Sequence, residues 1–451
     1  MLWALTVGAA AFQTAAQQSG ALSVAAFPSI QAALDASPGK MLFVPDGEYS
    51  LTDAIRIRHS GSGLYGFGKL VQQNTNSPVI EILGANDVRV KDLTLTRAKG
   101  REEARASALL ATDGQHLTIS GLTVRDNRAP AGAIALRSCR QTAVSDCFIE
   151  NYSTISVDDR TAGPLYGFAF NCIDGTGLTA NQCTDLLIQR NRITENHLHP
   201  TPELKERFRL GEMVRRNPVK GSLIAQKVWD AGWVENWHQG SAIAVTSPER
   251  TAFVRILDNH IENAAQGIDV HADNVIVSGN IIVNAFMGMK AMHGSRHVLV
   301  ANNQFIRTDL WAIGLMPGAS SHPAEPASGD KPGRPANVDA GQILANNIIT
   351  DFGYGDSHWI WHVPEHNCTP FRFDNGQEPD DPPLRDVLVT GNLVYNTGRD
   401  GVLTNGTIEK LPPRYRWAVF VSRESGSPAG LKFSNNLFAP GTEGISNVPL
   451  E

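Results

Sequence analysis

The sequence is poor in charge, in cysteine and in long apolar runs. Charged residues are 19% of the 451 positions and the formal net charge is −6, so no bulk electrostatic footprint for nucleic acid is present. Five cysteines, Cys139, Cys147, Cys172, Cys183 and Cys368, are an odd number, at spacings that match no zinc pattern. They read as buried small hydrophobes, with one disulfide as the alternative. Beyond the N-terminus no stretch is long and apolar enough to span a membrane, which argues against a membrane partner. The opening "MLWALTVGAAAFQTAAQQ" lacks Lys or Arg before its apolar run, yet the run and the small residues after it read as a signal peptide over residues 1–18. That implies a secreted or periplasmic protein. A buried N-terminal segment is the other reading.

Apolar residues are 42% of the chain, enough for a long core, and 41 Gly with 25 Pro imply many turns. Length alone suggests two or three domains, but repeat folds reach this size as one unit. A repeat is visible in "DNHIENAAQGIDVHADNVIVSGNIIVNAFMGMKAMHGSRHVLVANNQF". Asn259, Asn280 and Asn303 each precede an apolar pair, at intervals of 280 − 259 = 21 and 303 − 280 = 23. The phrase recurs at Asn191, Asn347, Asn392 and Asn436, with later intervals of 44, 45 and 44. Before these Asn stand alternating strands such as "VRILDN", "VIVSGN" and "VLVTGN". A fixed period with β-branched residues and no helical pattern predicts a solenoid of strands. One coil cannot bury its own apolar face, whereas stacked coils share a continuous core.

The recurrent Asn resembles the asparagine ladder of right-handed parallel β-helices in the pectate lyase-like superfamily, over about residues 27–438. The resemblance implies an all-β, single-stranded right-handed parallel β-helix occupying residues 19–451. It does not fix the reaction, since that superfamily hosts lyases, hydrolases, epimerases and viral tail proteins. "FPSIQAALDASPGKMLFVPDGEYSL" agrees with the start of many members. Ser29 is placed as N-cap of a short helix, Ile30 to Ala36, that would cover the open end of the stack.

Candidate site residues follow from the register. "IDVH", "MKAM" and "AIGL" are read as first strands of consecutive coils. Ile268 and Val270 are expected inside with Met289 and Ala291, and with Ala312 and Gly314. Asp269 and His271 then point outward beside Lys290 and Met292, followed by Ile313 and Leu315. His293, Arg296 and His297 fall in the next loop, a groove wall. The competing reading of Asp269 and Lys290 is a surface ion pair of little consequence.

Long loops point to the same side. An insertion over 197–239 interrupts the coils. Its "TPELKERFRLGEMVRRN" predicts a helix with Thr201 as N-cap and Pro202 in the first turn. The basic excess of that helix suits a polyanionic chain, or a solvated face. Six of the eight Trp lie between positions 229 and 361. Trp237, Trp311 and one of Trp359 and Trp361 are candidate sugar platforms, with His238 beside them, while Trp229 is read as packing. "HWIWH" alternates, so either Trp359 and Trp361 or His358 and His362 face outward. Loops 317–341 and 364–383 leave after first strands and are long enough to be functional.

The chemistry is read from the residue types. The polygalacturonase-like series Asn-Thr-Asp, Asp-Asp, Gly-His-Gly and Arg-Ile-Lys is matched only by Asp158-Asp159 in "SVDDR". Elimination in a uronate instead needs a cation or hydrogen-bond donor against the carboxylate, a base for the C5 proton and an acid for the leaving oxygen. Asp269, His271, Lys290, His293 and Arg296 supply such groups. "GIDVHA" also resembles the Asp-Pro-His signature of alginate epimerases, with Val270 in place of Pro and without the Tyr and Glu around it. Lys290 beside Asp269 is assigned to charge stabilisation and His271 to base, with His293 the alternative. A calcium-assisted variant would take oxygen ligands from Asp158, Asp159 or Asp269. The sequence therefore predicts a secreted enzyme that cleaves a uronic acid-containing polysaccharide by β-elimination. A glycoside hydrolase or transglycosylase on the same scaffold, or a non-catalytic glycan-binding or tail-like protein, is the alternative.

Overall fold

A computed structural model describes residues 22–158, 170–196, 234–235, 240–318, 320–355, 368–375, 381–397, 403–404, 407–408, 411–422 and 428–450. The chain winds into a parallel β-helix. First strands of successive coils build a 12-stranded sheet, and second and third strands share a 22-stranded sheet. Seven consecutive first strands frame the site: β1 (Ile134–Arg137), β2 (Thr176–Asn181), β3 (Ser241–Thr246), β4 (Gln266–Val270), β5 (Met287–Met292), β6 (Trp311–Met316) and β7 (Thr369–Phe373). Each pairs in parallel with the next.

The sequence code for the coil is local. A residue with left-handed backbone precedes each ladder Asn: Arg190 (φ 51) before Asn191, then Asp258 (φ 56), Gly279 (φ 70), Asn302 (φ 59), Asn346 (φ 55), Gly391 (φ 67) and Asn435 (φ 55). Gly, Asn and Asp are the residues that enter this region most cheaply, so the dipeptides DN, GN and NN mark the bend. The following Asn is stacked, and each is buried except the half-buried Asn436. From Asn191 through Asn259, Asn280, Asn303, Asn347 and Asn392 to Asn436, each Nδ2 donates to the next Oδ1 at 2.9–3.0 Å. Each of those Oδ1 atoms also accepts the preceding Asn's backbone N–H. No buried amide in the run is stranded, which is what permits a column of polar side chains inside an apolar core.

Toward the N-terminus the same column changes chemistry. Register places Leu93, Leu122 and Cys147 at the Asn position. Cys147 still donates its N–H to Asn191 Oδ1, at 3.0 Å. Burial pushes its thiol up to about 12. Cys139, Cys147, Cys183 and Cys368 are buried and free, as the hydrophobe reading has it; the side chain of Cys172 is not among those described.

Inward side chains of the framing strands form the core. Ile134, Leu178, Ile243, Ile268, Met289, Ile313 and Phe371 are each at most 1% exposed, and full burial of such a side chain contributes about 1.5–3 kcal/mol. Helix α1 (Ile30–Ala36) begins where read, with Ser29 Oγ accepting from Ala32 N at 3.0 Å. Its Ile30, Ala33 and Leu34 are buried, and it packs against strands Met41–Leu51 and Ile55–Ile57. The expected signal peptide over residues 1–18 and, apart from strand Val234–Glu235, the insertion read as helical over 197–239 lie outside the described residues.

Candidate active site

Asp269 on β4 stands in register with Lys290 on β5. Both project from the outer face, since their strand neighbours Ile268, Val270, Met289 and Ala291 fill the core. Asp269 Oδ1 lies 2.9 Å from His271 Nε2, and Oδ2 lies 3.5 Å from Lys290 Nζ. The His271 contact is close but poorly aligned for a hydrogen bond. The other ring nitrogen, Nδ1, lies 3.2 Å from Thr246 Oγ1 on β3. The His293 ring meets His271 edge-on at 4.4 Å. The structure thus brings together Asp269, His271, Lys290 and His293.

This cluster faces outward without being a solvated surface. The side chains of Asp269, Lys290 and His271 are 11%, 13% and 15% exposed. Burial pushes the Asp269 carboxyl upward, but His271, Lys290 and His293 outweigh it and hold the group well below the usual carboxylate range. Burial, then the positive surroundings of His271 and Lys290, push His293 down to about 3. Its Nδ1 accepts from Ser320 N–H at 3.3 Å, which leaves the ring proton on Nε2.

Residues 320–341 pack over the turn that holds His293. Segments 321–328 and 331–337 form an antiparallel hairpin, and Arg334 Nη2 reaches Glu249 Oε2 at 3.2 Å, in the turn after β3. Gly318 sits against His293; a Cβ there would come within 2.5 Å of Nδ1. Asn337 Nδ2 donates to His293 O at 2.8 Å and to Ser320 O at 2.7 Å. Asp339 is fully buried and accepts from Gly294 N at 2.8 Å, Ser295 N at 3.0 Å and Ser321 Oγ at 2.8 Å. Burial, with repulsion from Asp381, pushes its carboxyl up to about 7 against the pull of those donors.

Two readings are corrected. Lys290 is followed by Gly314 rather than Ile313, and Ala291 by Leu315; the register of β6 is one residue from that expected. Ile313 and Leu315 therefore face the core. Trp311 is not an open platform. It is 6% exposed, its ring lies against the position where a Gly314 Cβ would stand, and the Arg372 guanidinium covers it at 5.2 Å. Arg296 is paired with Asp273, its Nε donating to Oδ2 at 3.1 Å and its backbone N to Oδ1 at 3.0 Å, while its side chain stays 40% exposed. Trp237, His238, His358 and Trp361 lie outside the described residues.

Sequence reasoning missed Thr246, Asp339 and Arg372. Arg372 was within reach of the alternation in "TPFRF": one more coil of register puts it beside Gly314, with Nη2 2.8 Å from Asp374 Oδ2. Asp339 gives no local signal, because only the folded hairpin brings it to Gly294. A calcium ion does not fit at Asp269, whose Oδ2 already faces the Lys290 ammonium and whose Oδ1 faces the His271 ring. Asp159 and the side chain of Asp158 are not among those described. Among the described residues no trio of His, Cys, Asp or Glu has metal-ligand geometry.

The family described as "Right handed beta helix region" matches residues 71–305. The chain belongs to this right-handed β-helix family. No curated protein matches it in sequence. Among solved structures, this right-handed β-helix resembles the A-module of mannuronan C-5 epimerase AlgE4 from Azotobacter vinelandii, at 11% identity and TM-score 0.54, over 95% of this chain and 98% of that one. It also resembles a PL6 alginate lyase bound to a trisaccharide, at 13% identity and TM-score 0.54, over 92% and 83%. A third is an exopolygalacturonase from Thermotoga maritima, at 11% identity and TM-score 0.52, over 88% and 84%. At such identities the likeness is one of fold. These neighbours are carbohydrate-active enzymes, an epimerase, a lyase and a hydrolase, on one scaffold.

Proposed function

We propose that this β-helix is a secreted or periplasmic enzyme that cleaves a uronic acid-containing polysaccharide by β-elimination. The observation that carries the reading is the Asp269, His271, Lys290 and His293 cluster on adjacent coils. Its ion pairs among the described residues involve one carboxylate, Asp269, which its neighbours keep ionised. Hydrolysis by this kind of fold asks for two carboxyl groups, one able to give a proton, and Asp269 suits neither an acid nor a partner to a second carboxylate. The alginate-acting and polygalacturonate-acting names of the structural neighbours support a uronate substrate class.

In this reading Lys290 stabilises the negative charge that builds on the sugar carboxylate as the C5 proton leaves. His271 takes that proton, and the electron pair forms the new double bond between C4 and C5 as the glycosidic oxygen departs from C4. Asp269 orients both groups. His293 is too weakly basic, at about 3, to compete for a carbon-bound proton; its Nε2–H is a donor for the leaving oxygen. The test is a panel of alginate, polygalacturonate and neutral glycans. Ultraviolet absorbance of a conjugated double bond in the product supports elimination. New reducing ends without that absorbance would establish hydrolysis instead.

A further inference from the structure

The outer face of the 12-stranded sheet is not symmetric about the cluster. On the C-terminal side it runs into Trp311 and Arg372, both buried, one stacked on the other, with Arg372 paired to Asp374. On the N-terminal side it runs over Ala244 and Thr246 on β3, then Thr179 and Asn181 on β2. These are short, uncharged and partly exposed side chains, a level floor. The floor ends at Arg137, exposed at the end of β1 and in register with Asn181. Cations elsewhere in the strands of this face have carboxylate partners: Arg56 with Glu81, Lys290 with Asp269, Arg372 with Asp374. Arg137 has no side-chain partner among the described residues.

Register fixes the spacing. Arg137, Asn181, Thr246 and His271 form one outward row over four consecutive coils. In-register positions advance by about 4.8 Å per coil, so Arg137 stands roughly 14 Å along the row from His271. An extended acidic glycan that reacts at His271 and lies along this floor brings a carboxylate of a more distant sugar to the guanidinium. From this we infer that Arg137 is a remote anion-binding position of the same groove, selecting for acidic chains long enough to span three coils. A planar fork of donors is suited to a carboxylate. The inference rests on the reading of a uronate substrate, and the groove runs from the cluster toward the N-terminus.

The test compares the full chain with Arg137→Gln and Arg137→Lys. Binding is measured by calorimetry, and turnover by product formation, on the polyuronate that the unaltered protein prefers and on a trisaccharide of the same sugar. With Arg137→Gln, the preference for polymer over trisaccharide in kcat/KM falls about ten-fold, through KM, the scale of losing one charged hydrogen bond. Arg137→Lys keeps most of that preference, and added salt removes the difference between variants. An unchanged preference in Arg137→Gln with normal turnover overturns the subsite and leaves the elimination reading standing. Polymer binding that weakens in Arg137→Gln, in a protein that binds the chain without cleaving it, upholds the subsite and overturns the elimination reading. Absence of polymer binding by the unaltered protein overturns both.

Discussion

Lys290 Nζ lies 3.5 Å from Asp269 Oδ2, between side chains that are 13% and 11% exposed. The pair therefore differs from an ordinary surface ion pair, whose loss costs little. Removing one partner of a buried pair leaves the other charge unpaired, at a cost of about 3–5 kcal/mol. Lys290→Ala should lower turnover by about 100- to 1,000-fold and also lower the melting temperature. Activity near that of the unaltered protein, in a variant with a clearly lowered melting temperature, would make Lys290 a structural partner of Asp269 only.

His271→Gln should remove the basic requirement of catalysis. The amide is close to isosteric, so Asp269 keeps a neutral donor and folding changes less than in Lys290→Ala. Full pH–rate profiles of the two proteins check this. A profile in His271→Gln that keeps the original acidic limb at undiminished rate would exclude His271 as base.

Asp339 makes a pH dependence with a definite sign. Its carboxyl is raised from the ordinary 3.8 to about 7 in the fold, so the folded state holds a proton that the unfolded chain releases. Its favourable contribution is complete below pH 3.8 and is lost as pH rises to about 7. His293 works the other way: lowered from 6.5 to about 3, it favours the fold above 6.5 and disfavours it as pH falls toward 3. Asp339→Asn should therefore lose stability relative to the unaltered protein at pH 4, and regain ground as pH approaches 7. Parallel stability curves for the two proteins across this range would show that Asp339 is ionised throughout.

Asn280→Leu should destabilise the solenoid. Asn280 Oδ1 accepts from Asn259 N and Nδ2, and its Nδ2 donates to Asn303 Oδ1 and Ile256 O. Each buried group left unpaired costs about 1–3 kcal/mol. An unchanged midpoint in chemical denaturation would mean that the ladder relaxes around the leucine.

Trp311→Ala is expected to act mainly on stability. Deleting a buried indole costs about 3–5 kcal/mol, and Arg372 loses the ring beneath it. A protein of normal melting temperature with weakened glycan affinity would return Trp311 to the groove.

The sequence by itself determined the coil. Period, bend and ladder are all carried by a few adjacent residues, a left-handed Gly, Asn or Asp followed by Asn and an apolar pair, so each coil announces itself locally. The pairing of Asp269 with Lys290 was equally legible, because β4 and β5 are 21 residues apart at Ile268 and Met289, with no loop between coils to shift the frame. Register failed at β6. Every residue of Trp311–Met316 is buried, so the alternation that reports which side faces the core is absent there. Only packing of Ile313 and Leu315 against Met289 and Ala291 decides it. Tertiary structure alone decided how dry the cluster is. Hairpin residues far along the chain close over His293 through Ser320, Asn337 and Asp339, and burial, which no local pattern encodes, sets the charge states of Asp269, His293 and Asp339.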